Sequence, residues 1–415
     1  MDIVNIDTVV VGGGQAGLSA SYYLKEHKIN HVILEQSDQP AYAWRNQKWD
    51  SFCFVVPNWT INLPGGSYND FGIDPDGFIS RDELIRYFEK YIEIHQLPIK
   101  FNSKVSSIKQ SKEGWRVITM HTTYLVDHVI ISTGFFQSPK LPNFSDNIDT
   151  KIQQLHTSNY KNTQQLKDGA VLVVGTGQSG MQIAEEIYKS GRKVHLAIGS
   201  TGRMPRRYRG RDIIYWWNES GNFTKKVELL KSPKERFGSN PQCTGIDGGH
   251  DLTFHQFFID GVLLYGHLTD ISPDGTTAIF ADNLHKLIKY VDDFEDNMLT
   301  IIDKSIIDLE LEVSEPPSRN MLTNAYDQEL ILTLNFDQAN ITNIIWATGY
   351  TRDFSYIEAE LPVIDDTGFP LQHRGVNENK GLFFHGMPWI SNSSSGLVYG
   401  VGKDAEYLVD YIVNH

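Results

Sequence analysis

The sequence contains nearly the same glycine-rich motif twice, and this repeat constrains the fold more than any other feature. Residues 10–17 read VVGGGQAG and residues 173–180 read VVGTGQSG, so six of the eight positions agree. The G-x-G-x-x-G spacing allows a tight turn, close approach of the backbone to a pyrophosphate, and close packing of a helix on a strand. Each phrase follows a β-rich run and precedes a helical pattern. The repeat therefore predicts two dinucleotide-binding units in one chain.

The first copy has the features of an FAD site. The run DTVVV precedes it, the helical segment LSASYYLKEH follows, and a second apolar run, HVILE, ends at Glu35. The amides and the dipole of a helix N-terminus attract phosphates, and an acidic residue about 20 positions after the glycines can bind a ribose hydroxyl. This arrangement suits an adenosine diphosphate moiety with a free ribose. The predicted FAD contacts here are Gly12, Gly14, Gln15, Ala16, Gly17, Glu35 and Gln36.

The second copy favours NADPH over NADH. Its strand KVHLAIGS ends at a serine, and the basic run GRMPRRYRGR follows. A carboxylate would repel a 2′-phosphate, whereas serine and arginine accommodate one. The arginines could instead form a solvated loop, lie along the pyrophosphate, or lie at the domain interface. The predicted NADPH contacts from this pattern are Gly175, Gly177, Gly180, Ser200, Arg203, Arg206 and Arg207.

Length and composition limit the class of protein. The chain has 415 residues, 40% of them hydrophobic, and a formal net charge of -14. This length indicates two or three domains, and the acidic balance argues against nucleic-acid and anionic-membrane partners. The two cysteines, Cys53 and Cys243, are far apart, which argues against a disulfide scaffold. No long apolar run or signal peptide is evident, so the expected location is cytoplasmic.

Two further runs predict how the domains are connected. VIISTGFF at 129–136 and IIWATGYT at 344–351 each end a β-rich run at Thr-Gly. This resembles the paired-domain flavoproteins, whose chain leaves the FAD domain near the first run and re-enters it near the second. The predicted fold is α/β, with two Rossmann-like dinucleotide-binding domains. The FAD domain comprises residues 1–165 and 336–415, and an NADPH domain of residues 166–335 is inserted.

The rest of the inserted segment predicts ordinary structure. Weak periodicity between 205 and 280 indicates loops and short helices, and an apolar stripe across 282–310 indicates a helix. His250 and His255 lack the spacing of a zinc site, and Cys53 within an apolar run indicates a buried, inert thiol. No metal site is predicted. The acidic residues expected on the solvated face of that helix are Asp292, Asp293, Glu295 and Asp296.

Together these features resemble the group B flavin-containing monooxygenases over nearly the whole chain. The similarity includes both dinucleotide motifs, the ATGY run at 347–350 and the stretch GLFFHGMPWISNSSSGLVYGVGKDA. The runs WRNQKWDSFCFVVPNWTINLPG and PRRYRGRDI resemble those of a bacterial flavoprotein group. One departure concerns the family fingerprint, of which His156 and Tyr160 remain, while Thr150 and Ile152 replace the usual Phe and Gly. The linker near the nicotinamide is therefore expected to have a different shape.

The resemblance implies roles for further residues. Asn58 is the expected catalytic residue, because its amide can donate to the activated oxygen or to bound NADP⁺. The alternative is that Asn58 shapes a turn after Pro57. Trp59, Tyr215, Trp216 and Trp389 would line the substrate side, or serve ordinary packing. The other implied contacts are Trp44, Arg45, Thr133 and Asp404 with FAD, and Gln178 and Ser179 with the pyrophosphate of NADPH.

The resemblance also implies a reaction. NADPH would reduce the flavin, dioxygen would form a flavin C4a-(hydro)peroxide, and one oxygen atom would pass to a small organic substrate at a nitrogen or sulfur centre. Baeyer–Villiger or α-keto acid oxygenation is an alternative, as is an NADPH oxidase or dehydrogenase that transfers no oxygen. A disulfide reductase would need a nearby cysteine pair, and a nucleotide sensor would perform no catalysis. The expected partners are the substrate and dioxygen, and a homodimer is one option for the assembly.

Overall fold

A computed structural model gives the fold of the chain and describes residues 2–238, 240–316 and 322–415. No helix in these ranges combines the length and the apolar character needed to cross a membrane. Within the same ranges the α-helices are α1 (Gln15–Glu26), α2 (Tyr42–Gln47), α3 (Arg81–His95), α4 (Gln178–Lys189), α5 (Ile213–Glu219), α6 (Phe254–Ile259), α7 (Leu284–Asp308) and α8 (Val401–Asn414).

The strands follow in chain order. Those before residue 140 are β1 (Asp2–Asn5), β2 (Thr8–Val11), β3 (His31–Leu34), β4 (Asn62–Leu63), β5 (Gly66–Ser67), β6 (Ile99–Lys100), β7 (Val105–Ser111), β8 (Gly114–Thr119), β9 (Thr122–Val126), β10 (His128–Ile131) and β11 (Ser138–Pro139). The next are β12 (Gln153–His156), β13 (Ala170–Val174), β14 (Val194–Ala197), β15 (Arg207–Tyr208), β16 (Arg211–Asp212), β17 (Leu263–Tyr265), β18 (Leu268–Ile271) and β19 (Thr277–Phe280). The last are β20 (Thr333–Asn335), β21 (Ile341–Trp346), β22 (Tyr350–Thr351), β23 (Ile357–Glu358) and β24 (Leu382–Phe384).

The first unit is built on a parallel sheet in the order β24-β10-β2-β3-β6. Its strands are rich in Val and Ile because both faces of the sheet are covered. Helices α1, α3 and α8 pack on one face. The second sheet of this unit, β1-β9-β8-β7-β23, packs on the other. The carboxyl ends of β2 and β10 therefore meet at one edge, where the first glycine turn lies.

The second unit repeats the plan with a parallel sheet in the order β12-β21-β13-β14-β17. Helices α4, α6 and α7 pack on one face of this sheet. A three-stranded antiparallel sheet, β18-β19-β20, packs on the other. The fold is thus α/β with two Rossmann-like units, as the sequence predicts.

The predicted limits of the inserted domain are too narrow. Strands β12 and β21 pair within the second sheet, although they lie outside residues 166–335. The reason is that both strands extend the sheet beyond its first strand–helix–strand unit, which was the only part that the glycine motif could mark. By sheet membership the second unit spans at least residues 153–346. The helix predicted at 282–310 is α7, and the region 205–280 contains short elements, as expected.

The two units share packed surface. Trp49 and Phe52 belong to the first unit in sequence, but they lie in the same buried cluster as Tyr160 and the helices of the second unit. Ser51 and Tyr160 both donate hydrogen bonds to the carboxylate of Glu186 on α4. The segment after α2 therefore anchors the first unit against the second through side-chain packing.

Candidate functional site

The first glycine turn leaves room for a diphosphate. Gly12 has a φ of +104°, and a Cβ there would lie 2.6 Å from the carbonyl oxygen of Ser132. A Cβ on Gly17 would lie 1.9 Å from the carbonyl oxygen of Gly12, so the start of α1 packs directly on the turn. By contrast, no heavy atom of the described residues lies within 4 Å of a Cβ built on Gly14. The space beside Gly14 at the start of α1 is thus open, and the N-terminus of a helix is where a phosphate binds.

Glu35 lies beside this turn, where the sequence places it. It follows β3 directly and is only 7% exposed. Its Oε2 accepts a hydrogen bond from the amide of Gly13 at 2.7 Å, and its Oε1 accepts one from the amide of Ser37 at 2.9 Å. A carboxylate has about four acceptor positions, so two remain for ribose hydroxyls. Gln36, the next residue, is exposed.

A C-terminal loop closes over the start of α1. Gln15 Nε2 donates to the carbonyl oxygen of Gly396 at 2.7 Å. Ala16 packs so tightly against Gly386 that a Cβ on that glycine would lie 2.2 Å away. Asp404, on α8, accepts a hydrogen bond from Ser391 at 2.5 Å, while its Oδ2 is buried without a hydrogen-bond partner among the described residues. Burial raises the pKa of Asp404. The open turn and this unpaired oxygen fit FAD.

The other implied FAD contacts have different surroundings. Trp44 on α2 packs its ring against Phe52 and Phe54, with centroids 5.7 and 5.8 Å apart. Arg45 forms an ion pair with Glu89 at 2.7 Å, so its charge is already balanced within the first unit. Thr133 follows β10 at the carboxyl edge of the sheet and accepts a hydrogen bond from Gln137. Contact of these three residues with FAD stays a prediction.

The second glycine turn has the same backbone geometry. Gly175 has a φ of +99°, and a Cβ on Gly180 would lie 2.0 Å from the carbonyl oxygen of Gly175. No heavy atom of the described chain lies within 4 Å of a Cβ built on Gly177. Thr176 Oγ1 accepts a hydrogen bond from the amide of Gly199 at 2.9 Å, which ties the turn to the end of β14 beside the exposed Ser200. Ser179 lies in the first turn of α4.

A segment that the sequence did not mark, residues 242–250, covers α4; we call it the bridging segment. Gln178 donates from Nε2 to the carbonyl oxygen of Cys243 and accepts from its amide at 3.1 Å. One and two turns further along α4, Gln182 contacts Thr244 and Glu185 contacts His250. The side chain of Gln178 therefore holds this segment, whereas the sequence assigned it to the pyrophosphate. The amides at the start of α4 and Ser179 stay as predicted contacts of the pyrophosphate.

Glu185 and His250 form a close carboxylate–imidazole pair. Their side chains are 2.6 Å apart, and Lys189 contacts the same carboxylate at 2.9 Å. Burial opposes the charge on Glu185, but the hydrogen bonds from His250 and Lys189 lower its pKa. The hydrogen bond to Glu185 raises the pKa of His250 in turn. The far end of the bridging segment is thus held electrostatically.

The opposite side of the bridging segment packs on the first unit. The thiol of Cys243 lies 3.5 Å from the carbonyl oxygen of Val55. A Cβ on Gly245 would lie 2.1 Å from the carbonyl oxygen of Phe54, so only glycine fits there. The segment consequently fills the space between the start of α4 and residues 54–55. One feature of the sequence is related to this segment. In both glycine motifs the helix begins with a glutamine, whose side chain can bind the backbone of another segment.

Arg206 is buried, and its charge is paired within the protein. It is 1% exposed, forms an ion pair with Asp212, and donates to the carbonyl oxygen of Val55 at 2.9 Å. Its guanidinium also stacks on the ring of Phe78 at 5.0 Å. A buried guanidinium needs this pairing, because an unpaired buried charge is costly. The alternative that placed this arginine at the domain interface is the one that the structure shows.

Arg203 is also committed elsewhere. It lies 3.0 Å from Asp292 and 2.7 Å from Glu295, both on α7. His255 and Tyr326 complete the cluster by contacting the carboxylate of Asp292 at 3.1 and 2.8 Å. The expectation that Asp292 and Glu295 lie on a solvated face was therefore wrong. They are drawn inward by the arginine, whose charge they balance.

Of the three arginines predicted to contact NADPH, Arg207 has a side chain that is available to bind an anion. Its side chain is 57% exposed, and its guanidinium lies 3.8 Å from the carboxylate of Asp212. It is part of the short hairpin of β15 and β16 that follows the end of β14. Exposed and only loosely paired, this charge is free to move toward an anion. A contact of Arg207 and Ser200 with a 2′-phosphate stays a prediction.

Asn58 holds a turn. Its Oδ1 accepts from the amide of Ile79 at 2.7 Å, and its Nδ2 donates to the carbonyl oxygen of Asp74 at 2.9 Å. The backbone amide of Asn58 also donates to Gly77. These bonds match the alternative in which Asn58 shapes the chain after Pro57. A primary amide has two N–H groups and two lone pairs, so half of its capacity remains for the predicted catalytic role.

Two of the four predicted substrate aromatics have clear structural positions. Trp216 is buried and donates from Nε1 to the carbonyl oxygen of Tyr208 at 2.7 Å, so its role is packing. Trp59 meets Tyr399 and Phe223 at centroid distances of 5.6 and 6.5 Å. Because Phe223 belongs to the second unit, this aromatic group lies where the two units meet.

Tyr215 and Trp389 each carry a cation over the ring. Arg211 lies 4.6 Å from the ring centroid of Tyr215, and Lys225 lies 5.9 Å from that of Trp389. Both rings are only partly buried. Their place beside a substrate stays a prediction.

The remaining fingerprint residues lie near the two places where the chain passes from one unit to the other. His156 contacts Ser158 and the carbonyl oxygen of Gly349, each at 2.9 Å. Tyr160 is buried and donates to Glu186 on α4. Ile152, in place of the usual glycine, packs on the apolar cluster beneath β21. The linker is thus held by side chains of the second unit.

The two thiols are poorly suited to redox chemistry. Burial raises the pKa of Cys53 to about 11, and burial also raises the pKa of Cys243. The thiolate is the reactive form of cysteine, so both residues are inert near neutral pH. In the described part of the chain, no group of three or more His, Cys, Asp and Glu side chains could hold a metal ion.

Comparisons with known proteins agree with this geometry. The sequence model of the family described as pyridine nucleotide-disulphide oxidoreductase matches residues 9–218. An uncharacterized CzcO-like oxidoreductase of Geobacillus kaustophilus is 32% identical over 412 residues, which cover 99% of each chain. A probable indole-3-pyruvate monooxygenase, YUCCA10 of Arabidopsis thaliana, is 29% identical over 50% of this chain and 54% of its own length. The solved flavin-containing monooxygenase of Stenotrophomonas maltophilia has a TM-score of 0.65 at 19% identity, covering 100% of this chain and 99% of its own.

Proposed function

Because the chain belongs to the pyridine nucleotide-disulphide oxidoreductase family, we propose that it is a flavoprotein monooxygenase that uses FAD and NADPH to oxygenate a small organic substrate. One observation carries the proposal: two glycine turns of equal geometry lie at the ends of two parallel sheets, and each has open space at its central glycine. Ligands of such sheets bind at the carboxyl ends of the strands. FAD, when bound, supplies electron transfer from NADPH and the activation of dioxygen.

In the first unit, the residues bind and orient the flavin cofactor. The amides at the start of α1 would hold its pyrophosphate, and the two free acceptor positions of Glu35 would hold its ribose. The tether from Gln15 to Gly396 brings the C-terminal loop over this site. Asp404 would offer its unpaired Oδ2 to a hydroxyl or an N–H group of the cofactor. These contacts support a tightly held flavin.

In the second unit, the residues select NADPH. Glu35 directly follows Leu34 of β3, and the corresponding residue after Ala197 of β14 is Ile198. No carboxylate therefore opposes a 2′-phosphate at that place. The exposed hydroxyl of Ser200 and the guanidinium of Arg207 would bind it.

The bridging segment positions the two cofactor sites relative to one another. It bonds to Gln178 at the start of α4 and packs on Phe54 and Val55 of the first unit. By filling this space, the segment would also exclude water from it. Both effects favour direct hydride transfer, which depends on close and fixed geometry.

We propose that the substrate carries a soft nitrogen or sulfur centre that is oxygenated. An α-keto acid is the alternative substrate. The name of the YUCCA10 relative, an indole-3-pyruvate monooxygenase, favours the α-keto acid as the second candidate. Disulfide reduction receives no support from the thiols, because burial raises the pKa of both and so disfavours the reactive thiolate.

The test measures whether the electrons of NADPH lead to an oxygenated product or to hydrogen peroxide. Protein reduced with NADPH under anaerobic conditions is mixed with oxygenated buffer that contains a thioether, a tertiary amine or phenylpyruvate. A monooxygenase places one ¹⁸O atom from dioxygen in the product for each NADPH consumed and releases little hydrogen peroxide. Hydrogen peroxide equal to the NADPH consumed, with every candidate substrate, would instead establish an NADPH oxidase. Failure of NADPH to bleach the bound flavin would contradict both.

A further inference from the structure

Lys48 carries a positive charge that no group of the described residues balances. Its ammonium lies 5.6 Å from the ring centroid of Trp44 and 5.5 Å from that of Phe52. The rings attract a cation, but they offer no acceptor to its three N–H donors. The side chain is half-buried, and burial lowers the pKa of Lys48 to about 8, with no partner among the described residues to offset the effect. A cation placed this deep normally pairs with an anion.

The carboxylates that follow this lysine or face its segment already have other partners. Asp50 pairs with Arg81, with a distance of 2.7 Å between the carboxylate and the guanidinium. Glu186, on α4, accepts hydrogen bonds from Ser51 and Tyr160. These two carboxylates are therefore committed elsewhere, and they do not supply the anion that the ammonium lacks.

The ammonium lies where the two units meet. Trp44 packs on the apolar clusters of both units, and Phe52 belongs to the cluster of the second. Burial lowers the pKa of His156 at the end of β12, and the positive charge of Lys48 lowers it further. The ammonium is therefore within electrostatic range of the second unit, although the residue itself belongs to the first.

A series of contacts leads from His156 to the second glycine turn. The Nε2 atom of His156 lies 2.9 Å from the carbonyl oxygen of Gly349. Ala347, in the same loop, has a carbonyl oxygen that would lie 2.6 Å from a Cβ on Gly175. Gly175 opens the turn at which a dinucleotide binds in this fold. The surroundings of Lys48 are thus connected to the border of the predicted NADPH site.

We propose that Lys48 binds the phosphate of NADPH that carries the nicotinamide ribose. This inference rests on the proposed function, in which the second unit holds NADPH and the nicotinamide reaches a flavin held by the first unit. The phosphate on the nicotinamide side is the anionic group next to the part of the ligand that crosses between the units. A lysine ammonium is a common phosphate ligand. Because Lys48 belongs to the first unit, its contact joins the ligand of the second unit to the first.

The first experiment measures the binding of NADP⁺ to FAD-loaded protein by isothermal titration calorimetry. Lys48→Met keeps an apolar stem beside the two rings but removes the charge, so the dissociation constant of NADP⁺ should rise about tenfold. Lys48→Arg keeps the charge and should change this constant by no more than about threefold. An unchanged constant in Lys48→Met would overturn the proposal. If the unmodified holoprotein does not bind NADP⁺, the proposed function fails, and this inference fails with it.

Lys90→Met is the matched control. The ammonium of Lys90, on α3, lies 5.4 Å from the ring centroid of Phe71, so it makes a similar contact with a ring within the first unit. This variant should leave the dissociation constant of NADP⁺ within about twofold of the unmodified protein, because salt screens distant exposed charges. A rise as large as that in Lys48→Met would show a general effect of net charge and would overturn the proposal.

A second ligand identifies the phosphate. The nucleotide 2′,5′-ADP contains the adenosine side of NADPH and its 2′-phosphate, but it lacks the nicotinamide nucleotide. Lys48→Met should therefore leave the dissociation constant of 2′,5′-ADP unchanged. An equal loss of affinity for 2′,5′-ADP and NADP⁺ would place the lysine at the adenosine side and contradict the proposal. Normal binding of NADP⁺ with weaker binding of phenylpyruvate would also contradict it, because the lysine would then bind a substrate carboxylate.

Discussion

Residues 12–17 and 175–180 follow the same backbone path in two different surroundings. Both turns begin with a glycine at a φ near +100°, and both end with a glycine that packs on the first one. In both, the next helix begins with a glutamine whose side chain donates to a backbone carbonyl of a distant segment. The repeated sequence therefore specifies the turn, the helix start and a tether.

The two tethers differ in what they hold. Gln15 holds the C-terminal loop, which belongs to the same unit as its own helix. Gln178 holds the bridging segment, which packs on Phe54 and Val55 of the other unit. The first site is thus closed within its own domain, and the second is coupled to its neighbour. One motif can serve an isolated site or a coupled one, depending on the segment that covers it.

The largest effect should come from the last glycine of each turn. Gly17→Ala should destabilise the protein by about 3 kcal/mol or more and yield colourless protein, because the new Cβ would overlap the carbonyl oxygen of Gly12. Gly180→Ala should keep FAD and lose reduction by NADPH at least 100-fold. Flavin absorbance per chain and anaerobic NADPH titration measure the two outcomes. Gly199→Ala is the control, since its Cβ would have 3.7 Å to the nearest atom, on Thr176.

Next in size is the contrast between neighbouring arginines. Arg206→Met should lower the free energy of unfolding by about 3–5 kcal/mol, because it leaves the buried carboxylate of Asp212 with only a backbone amide and the more distant guanidinium of Arg207. Arg207→Met should change stability by no more than about 0.5 kcal/mol. It should, however, reduce the preference for NADPH over NADH about tenfold through loss of a charged hydrogen bond. Urea unfolding measures the stability of both variants, and the dissociation constants of NADPH and NADH measure the cofactor preference. An unchanged ratio of these two constants in Arg207→Met would contradict the proposed phosphate contact.

The tethers themselves offer a smaller, matched comparison. Gln178→Ala should slow flavin reduction by NADPH about tenfold at unchanged FAD content, since two hydrogen bonds to Cys243 are lost. Gln15→Ala should weaken FAD binding about fivefold and leave the dissociation constant of NADPH unchanged. Stopped-flow reduction and flavin release measure these quantities. If both variants affect FAD binding and reduction by NADPH to the same extent, the proposed difference in coupling between the two sites is wrong.

The smallest effect concerns pH. The folded-state pKa of His250 lies above 6.5 and that of Glu185 below 4.5. The stabilisation from the histidine is complete below pH 6.5 and is lost as pH rises through its raised pKa. The part from the glutamate is present above pH 4.5 and is lost on acidification. His250→Asn should therefore cost up to about 1 kcal/mol near pH 5–6 and almost nothing above pH 9, measured by unfolding at each pH. A cost that does not vary with pH would exclude the ionic pair.

The predictable part of the site was local in sequence. The glycine spacing, the apolar strands and the position of Glu35 at the end of β3 are all read within 25 residues, and the structure confirms each of them. Helix α7 was predictable for the same reason, because its stripe repeats at the helical period. The arginines were not, since their partners lie far away along the chain: Asp292 for Arg203, and Val55 for Arg206.

By itself, the sequence determined that two dinucleotide turns exist, that each lies between a strand and a helix, and that a carboxylate follows only the first. These features depend on backbone freedom and short-range periodicity, which a few neighbouring residues fix. The tertiary structure alone decided which polar side chains are free to meet a cofactor. That choice depends on burial: Arg203, Arg206 and Gln178 are occupied because distant groups had to balance a buried charge or satisfy a backbone amide.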